Sequence, residues 1–433
     1  MKTSRHRQGA IRVLCAIPML VAAVGVGATA QASGAVASVH VGLGREVLAP
    51  NDGWAAADGG VTGGSTATAE NVHIVRDRNE LAAAVAGDTP KIVYVAASFN
   101  ANVDADNNPL DCAAYADPGW DLAAYLAAYD PAVYSGAPTG PLEVARKASN
   151  TNQGKRVDIR VGSNTTIVGL RGVTVTGAQL DIESVQNVIV RNLTLSDAYT
   201  CFPGWNGDAW KTEWDNLAVS RSTHVWIDHV TLNDGQHPDS AEPVYFGSHY
   251  LRHDGMLDIV RGSDLVTVSW SRFADHDKSL LWGNGDAVTT DAGKLRITLH
   301  HCYFAGLVQR APRVRYGQVH VYDNLYDVAA DSGYLYSWGV GYQSAIYAEN
   351  NAFRLTGPFS AQNIIGNYGG TAIHESGTLV NGVHTDVLAA YNAVNDPDLG
   401  SDVGWTPQLH GRIDPAEVVA HVVRGGAGAD HRR

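Results

Sequence analysis

An eight-residue pattern recurs through the second half of the chain, with aliphatic residues at alternate places and a polar pair behind them. Copies begin at Val188 (VIVRNLTL), Val225 (VWIDHVTL), Val266 (VTVSWSRF), Ile297 (ITLHHCYF), Val319 (VHVYDNLY) and Ile346 (IYAENNAF), with a weaker copy at Ile167. Successive starts are 21, 37, 41, 31, 22 and 27 residues apart. Alternation with period two marks strands with one buried face. The short steps approximate one coil of a parallel β-helix, and the long ones are coils carrying inserted loops. No such strand buries its apolar face alone; the next coil supplies the cover. The polar residues Asn192, His229, Asn324 and Asn351 are predicted to stack into a ladder that satisfies its own hydrogen bonds. The largest insertions fall between the copies at Val188, Val225 and Val266, and loops on one side of a solenoid usually carry its site.

Upstream the pattern is different. Residues 33 to 70 are rich in Gly, Ala and Thr and read as a loose entry segment. Asp77 to Gly87 reads as a short helix with Asn79 as N-cap, Leu81 and Val85 on one face and Gly87 at its end. Such a helix would cap one end of the solenoid. Lys91 to Ala97 reads as a strand, and 101 to 155 as an irregular insertion with helix over Leu122 to Tyr129.

Composition narrows the function classes. The chain has 433 residues, 45% hydrophobic and 17% charged, which suits one large elongated domain or two smaller ones. Lys2, Arg5, Arg7 and Arg12, the apolar run Val13 to Val26 and Ala30-Gln31-Ala32 form a secretory signal, so residues 1–32 are expected to be removed and 33–433 to form a single exported domain. Removal takes away four basic and no acidic side chains, and the formal net charge passes from −13 to −17. That balance argues against nucleic acid as a partner. An acidic polymer remains open if a divalent cation sits between the two. No second apolar run of spanning length follows, so a membrane partner is not expected, and a monomer is. Cys112 and Cys201 are candidates for a disulfide, with Cys302 left free and buried.

Three acids draw attention near the long insertions. Asp254 and Asp258 share the stretch HDGMLD, and Asp215 lies one coil earlier. Three carboxylates make a hard-oxygen cluster suited to calcium, which takes about six to eight oxygens, so water or a substrate carboxylate must complete the shell. Turn aspartates or a structural ion site explain the spacing equally well. Lys278, Arg310 and Arg315 follow on the next coils, with Pro312 stiffening the backbone between the arginines. Guanidinium groups grip carboxylates bidentately, although three arginines in six residues also suit surface ion pairs. His229 is expected on the ladder; His276, His300 and His301 carry no assigned role.

These residues fall in blocks that resemble pectate lyases of polysaccharide lyase family one: VWIDH (225–229), HDGMLDI (253–259), DHDKSLLWG (275–283) and VQRAPRVRYGQVHVYDN (308–324). The likeness runs from about Val72 to VGWTPQLHG (403–411). It implies an all-β, right-handed parallel β-helix. It implies calcium ligands at Asp215, Asp254 and Asp258, Arg310 as catalytic base, and Lys278 and Arg315 holding substrate carboxylates. The implied partner is polygalacturonate, cleaved by β-elimination. In related enzymes an asparagine often stands in place of Cys302, a departure that touches packing and not the site. An arginine base keeps its proton to about pH 12, so an alkaline optimum is expected. The rivals are a polygalacturonase-type hydrolase, for which no adjacent Asp-Asp pair is found, a calcium-independent pectin lyase, and a non-catalytic polysaccharide-binding solenoid.

Overall fold

The computed structural model describes residues 42–431; the signal segment and the first residues of the entry segment lie outside them. Three sheets run along one axis, parallel except for the final pair of the second, Leu379–Val380 with Val383–His384. The first has ten strands, among them Lys91–Val95, Thr165–Gly169, Gln186–Arg191, Thr223–Asp228, Asp264–Ser269, Ile297–His300, Gln318–Tyr322 and Ala345–Glu349. The second has ten strands, including Thr194–Ser196, Thr231–Asn233, Arg272–Lys278 and Tyr303–Gln309. The third has eight and contains Gln179–Glu183, Leu217–Ser220, Leu257–Val260, Leu281–Trp282 and Arg313–Val314. Strands of the coils pair with their counterparts one coil away, as Val225 does with Val188 and Val266. This is the expected parallel β-helix.

The octets are not single strands. Each straddles a corner, with four residues finishing a strand of the first sheet and the last ones starting a strand of the second. The fifth residue makes the bend in the left-handed region: Asn192, His229, Trp270, His301, Asp323 and Asn350 have φ of 54°, 50°, 49°, 53°, 54° and 52°. Asn, Asp and His tolerate that region better than most residues. Trp270 does not, and it is held by stacking on His301, with ring centroids 4.2 Å apart.

The expected ladder divides between two columns for the same reason. Asn192 and His229 occupy the bend. Asn324 and Asn351 occupy the sixth, inward place, where the Asn324 amide donates to Asn351 Oδ1 at 3.0 Å and Cys302 N–H to Asn324 Oδ1 at 2.8 Å. Cys302 is free and buried, and its thiol points at the His300 carbonyl at 3.4 Å. Burial pushes that thiol up, so it stays neutral.

Both ends of the interior are closed. The helix Arg78–Ala84 is capped by Asp77, whose side chain accepts the Glu80 N–H. Asn79 is thus inside the helix, not its cap; its side chain donates to the Asp104 carbonyl. Arg76 N–H in turn donates to Glu80 Oε2 at 2.6 Å, which fixes the chain entering the helix. Leu81 and Val85 seal the core on this side, and Val387 and Tyr391 of the helix Val387–Asn392 on the other.

Two upstream expectations change. Residues 42–71 are not loose. Ala55 and Val61 are buried on Ile189 and Trp226, and the N–H groups of Trp54 and Ala55 bond the Thr298 and Thr267 hydroxyls at 3.0 Å. The insertion holds the expected helix, Leu122–Ala128, and also a 17-residue helix, Pro141–Val157. Its buried face is polar (Glu143, Arg146, Ser149, Asn150, Gln153), so no apolar stripe announces it. Cys112 and Cys201 form a disulfide that ties this insertion to the coil.

Candidate active site

The third sheet turns Leu180, Ile182, Leu257, Ile259, Trp282 and Val314 inward. The residues between them face out, and register aligns them. Asp181 pairs with Ala218, and Ala218 with Asp258. Leu281 N–H donates to Asp258 Oδ1 at 3.2 Å, and Leu281 pairs with Arg313. One outward row therefore runs from acid to base, and it ends on Gly339 and Gly366, which pair onward from Arg313.

The acids lie at one end of this row. Asp215 accepts Gly255 N–H at 2.7 Å, and its own N–H donates to Gln179 Oε1 at 2.9 Å. Gly255 has to be small: a Cβ there would stand 2.8 Å from oxygens of both Asp215 and Asp258. Burial first, then the charges of Asp258 and Asp254, push the Asp215 carboxyl well above its usual range. Burial and Asp254 push Asp258 up to about 7. Among the described residues the Asp254 carboxylate takes no hydrogen bond. The three are close enough to repel one another, yet their oxygens do not all converge within 4.8 Å as those of two other groups do. The donor set is nonetheless one that a hard cation takes, and it carries more negative charge than the protein balances.

The cations lie on the following coils. Lys278 ends the strand Arg272–Lys278 opposite Gln309, half-buried and with no hydrogen-bond or ion-pair partner among the described residues. Arg310 sits in a left-handed bend (φ 63°), and its carbonyl is fixed by Leu280 N–H at 2.8 Å. Its Nε is buried and unpartnered, while its charge reaches Asp215 and Asp258 and holds both carboxyls lower than they would otherwise be. Arg315 is partly engaged, with Asp286 at 2.6 Å and the Gly283 carbonyl at 2.8 Å. Arg313 pairs with no acid among the described residues; it lies over the Tyr368 ring at 4.0 Å. The ion-pair explanation thus fits Arg315 alone of the three.

The histidines stand behind this surface. His276 Nδ1 meets Asp234 at 2.6 Å and its Nε2 meets the Asp254 carbonyl at 3.2 Å, so it orients the loop that carries Asp254. His229 bonds Asp228 and is stacked on Trp270. His300 and His301 bond each other at 2.9 Å, and burial pushes both down to about 3. Asp181 was missed by the sequence reading, although Leu-Asp-Ile recurs at 180–182 and 257–259 and signals the shared register.

The model of the pectate lyase family matches residues 29–116 and 132–391. The chain is a member of the pectate lyase family. A pectate lyase of Bacillus subtilis (strain 168) is 44% identical over 400 residues, 89% of this chain and 94% of its own. Pectate lyase E of Dickeya chrysanthemi is 34% identical over 361 residues, 79% of this chain and 77% of its own. Among solved structures, a pectate lyase bound to a hexasaccharide superposes with a TM-score of 0.85 at 42% identity, covering 90% of this chain and 99% of that one. A thermostable pectate lyase reaches 0.89 at 40% identity, covering 90% and 100%. The family makes the chain a polysaccharide lyase and its fold a parallel β-helix.

Proposed function

We propose that the chain is a secreted, calcium-dependent pectate lyase that cleaves de-esterified polygalacturonate by β-elimination and releases 4,5-unsaturated oligogalacturonides. Arg310 is the base in this reading, Lys278 and Arg315 hold substrate carboxylates, and Asp215, Asp254 and Asp258 hold calcium. The observation that carries it is the state of Arg310: a guanidinium beside buried carboxylates, whose Nε has no hydrogen-bond partner among the described residues. An unmet buried donor is costly in a resting protein and useful when a ligand group meets it. A related enzyme bound to a hexasaccharide, and another described by an anti β-elimination mechanism, support a polymer substrate and this reaction class.

The protein groups divide the work. The free ammonium of Lys278 takes up a uronate carboxylate as a point charge, and Arg315 takes another through its planar fork once Asp286 yields. These contacts fix the register of the polymer and bring C5–H toward Arg310. Arg310 in its neutral form accepts the C5 proton at a guanidine nitrogen, the electron pair forms C4=C5, and the C4 oxygen leaves. Calcium held by the three aspartates would act as a Lewis acid toward the C6 carboxylate. Alkaline pH raises the neutral fraction of an arginine, so activity should rise with pH. The leader at residues 1–32 and the Cys112–Cys201 disulfide, which suits an oxidising compartment, support export.

The test is an ultraviolet product assay on polygalacturonate and on methyl-esterified pectin, with and without chelator. Unsaturated product from the acidic polymer alone, abolished by chelator and restored by calcium, is expected. Chelator-insensitive product from the esterified polymer would favour a pectin lyase. New reducing ends without ultraviolet absorbance would favour a hydrolase, and binding without product a non-catalytic solenoid.

A further inference from the structure

The insertion that follows Asn233 leaves the coil and returns at Asp254, and its ends meet in a second polar cluster. Asp234 directly follows the strand Thr231–Asn233, Asp239 starts the single turn Asp239–Ala241, and His253 directly precedes Asp254. One ligand atom from each of Asp234, Asp239 and His253 lies within 4.8 Å of the others. His253 is 3% exposed, and its Nδ1 is buried without a hydrogen-bonding partner. That nitrogen faces Asp234 Oδ2 and Asp239 Oδ1, each at 3.7 Å. The separation is too long for a hydrogen bond. It is near what two ligands of one small cation require, since bonds of about 2.0–2.1 Å place tetrahedral ligands roughly 3.3–3.5 Å apart.

Every donor is already oriented from outside. His253 Nε2 meets Asp197 Oδ1 at 3.2 Å, so the ring is anchored through Nε2 and turns Nδ1 toward the gap. His276 Nδ1 occupies the other oxygen of Asp234 at 2.6 Å. Arg252 N–H fixes Asp239 Oδ1 at 2.9 Å, and that oxygen keeps a second lone pair. Asp197 is held in turn by His237 Nδ1 at 2.8 Å. Metal-bound histidines are supported by carboxylates in this manner.

We propose that His253 Nδ1, Asp234 and Asp239 form a second cation site, distinct in its donors from Asp215, Asp254 and Asp258, for a borderline divalent ion of the zinc class. A nitrogen with two carboxylates suits such an ion, whereas calcium takes oxygens alone. The Asp239 side chain is 15% exposed, which leaves an entry path and a place for water as fourth ligand. The bound ion bridges the gap between His253 Nδ1 and the two carboxylates. It staples both ends of the insertion to the coil immediately before Asp254.

The experiment is a zinc titration of the full-length, calcium-saturated protein, followed by calorimetry and thermal melting. Excess calcium occupies the all-oxygen site, so zinc reports the site that contains nitrogen. One equivalent of zinc that raises Tm by several degrees is expected, with affinity about 100-fold weaker in Asp239→Asn and His253→Gln. It should be unchanged in Asp414→Asn, which alters the separate His301, Asp323 and Asp414 group. Circular dichroism matched to the native protein guards against misfolding, and Asp239→Asn at the cluster's open edge keeps the test sound if His253→Gln does not fold. Failure of zinc to bind overturns the site. So does native-like binding by Asp239→Asn, or a loss that follows Asp414→Asn alone.

Discussion

On the inside of the coil, Cys302, Asn324 and Asn351 pass hydrogen bonds from one to the next, and the amides of both asparagines also reach backbone carbonyls at 3.0 and 2.9 Å. On the outside, one wall away, Asp215, Asp254 and Asp258 repel one another, and the Nε atoms of Arg310 and Arg313 are buried and unmet. Both sets are stacked by the same coil spacing. The inner set pairs donor with acceptor and lowers the folded state's energy. The outer set segregates acid from base along the axis and raises it. A fold indifferent to ligand would pair them, so the unpaired row is where a ligand is expected to supply what the protein omits.

The sharpest way to break this contrast is at Arg310. Arg310→Lys keeps charge but loses the planar fork, and kcat for unsaturated product should fall by about 10³-fold or more, with Tm little changed. A large loss of Tm instead would mean that Arg310 is structural. Next comes Asp258→Asn. Leaving a bound cation one carboxylate short costs about 3 kcal/mol, so calcium activation should need roughly 10²-fold more calcium, read from initial rates against free calcium.

The inner ladder should answer in the opposite way. Asn324→Ala strands Cys302 N–H and takes an amide donor from the Leu299 carbonyl and Asn351 Oδ1, and should lower stability by about 2 kcal/mol in denaturant melts while activity per folded molecule is retained. The smallest effect is expected at Asp181, on the same outward row. Burial, then Asp158 and Glu183, push its carboxyl up to about 7. A carboxyl whose folded pKa is raised binds its proton more tightly when folded, so its contribution favours folding at low pH and is lost as pH rises from about 4 to about 7. Asp181→Asn should therefore match the native protein near pH 4 and exceed it above pH 7, by about 1–2 kcal/mol. A gain of the same size at both pH values would detach the effect from ionisation.

The architecture was legible because the octets repeat, and the repeat is the physical cause of the fold. Its meaning was only half legible. Alternation showed which residues point inward, but nothing in it distinguishes a bend in the left-handed region from a continuing strand, so Asn192 and His229 were placed in the same column as Asn324. The bend does leave a trace, since five of its six residues are Asn, Asp or His. The helix Pro141–Val157 left none, because its buried face is held by Glu143–Arg146 pairing at 2.8 Å and by polar contacts in place of an apolar stripe. The acids and cations of the row were visible through the matching blocks. That Arg315 is already engaged by Asp286, and that Arg313 lies on Tyr368, depends on neighbours remote in sequence.

The stacked coils have a mechanical consequence. Strands pair chiefly with the coil before and the coil after, so cohesion is a chain of neighbour interfaces rather than one shared centre. Fraying by heat or force should begin at the terminal coils, beneath the helices Arg78–Ala84 and Val387–Asn392, and advance inward. Asp215 through Arg315 lie on middle coils, the last that such peeling would reach. The outer coils thus serve as sacrificial length, and binding and turnover should outlast the first losses of helical and strand signal on warming.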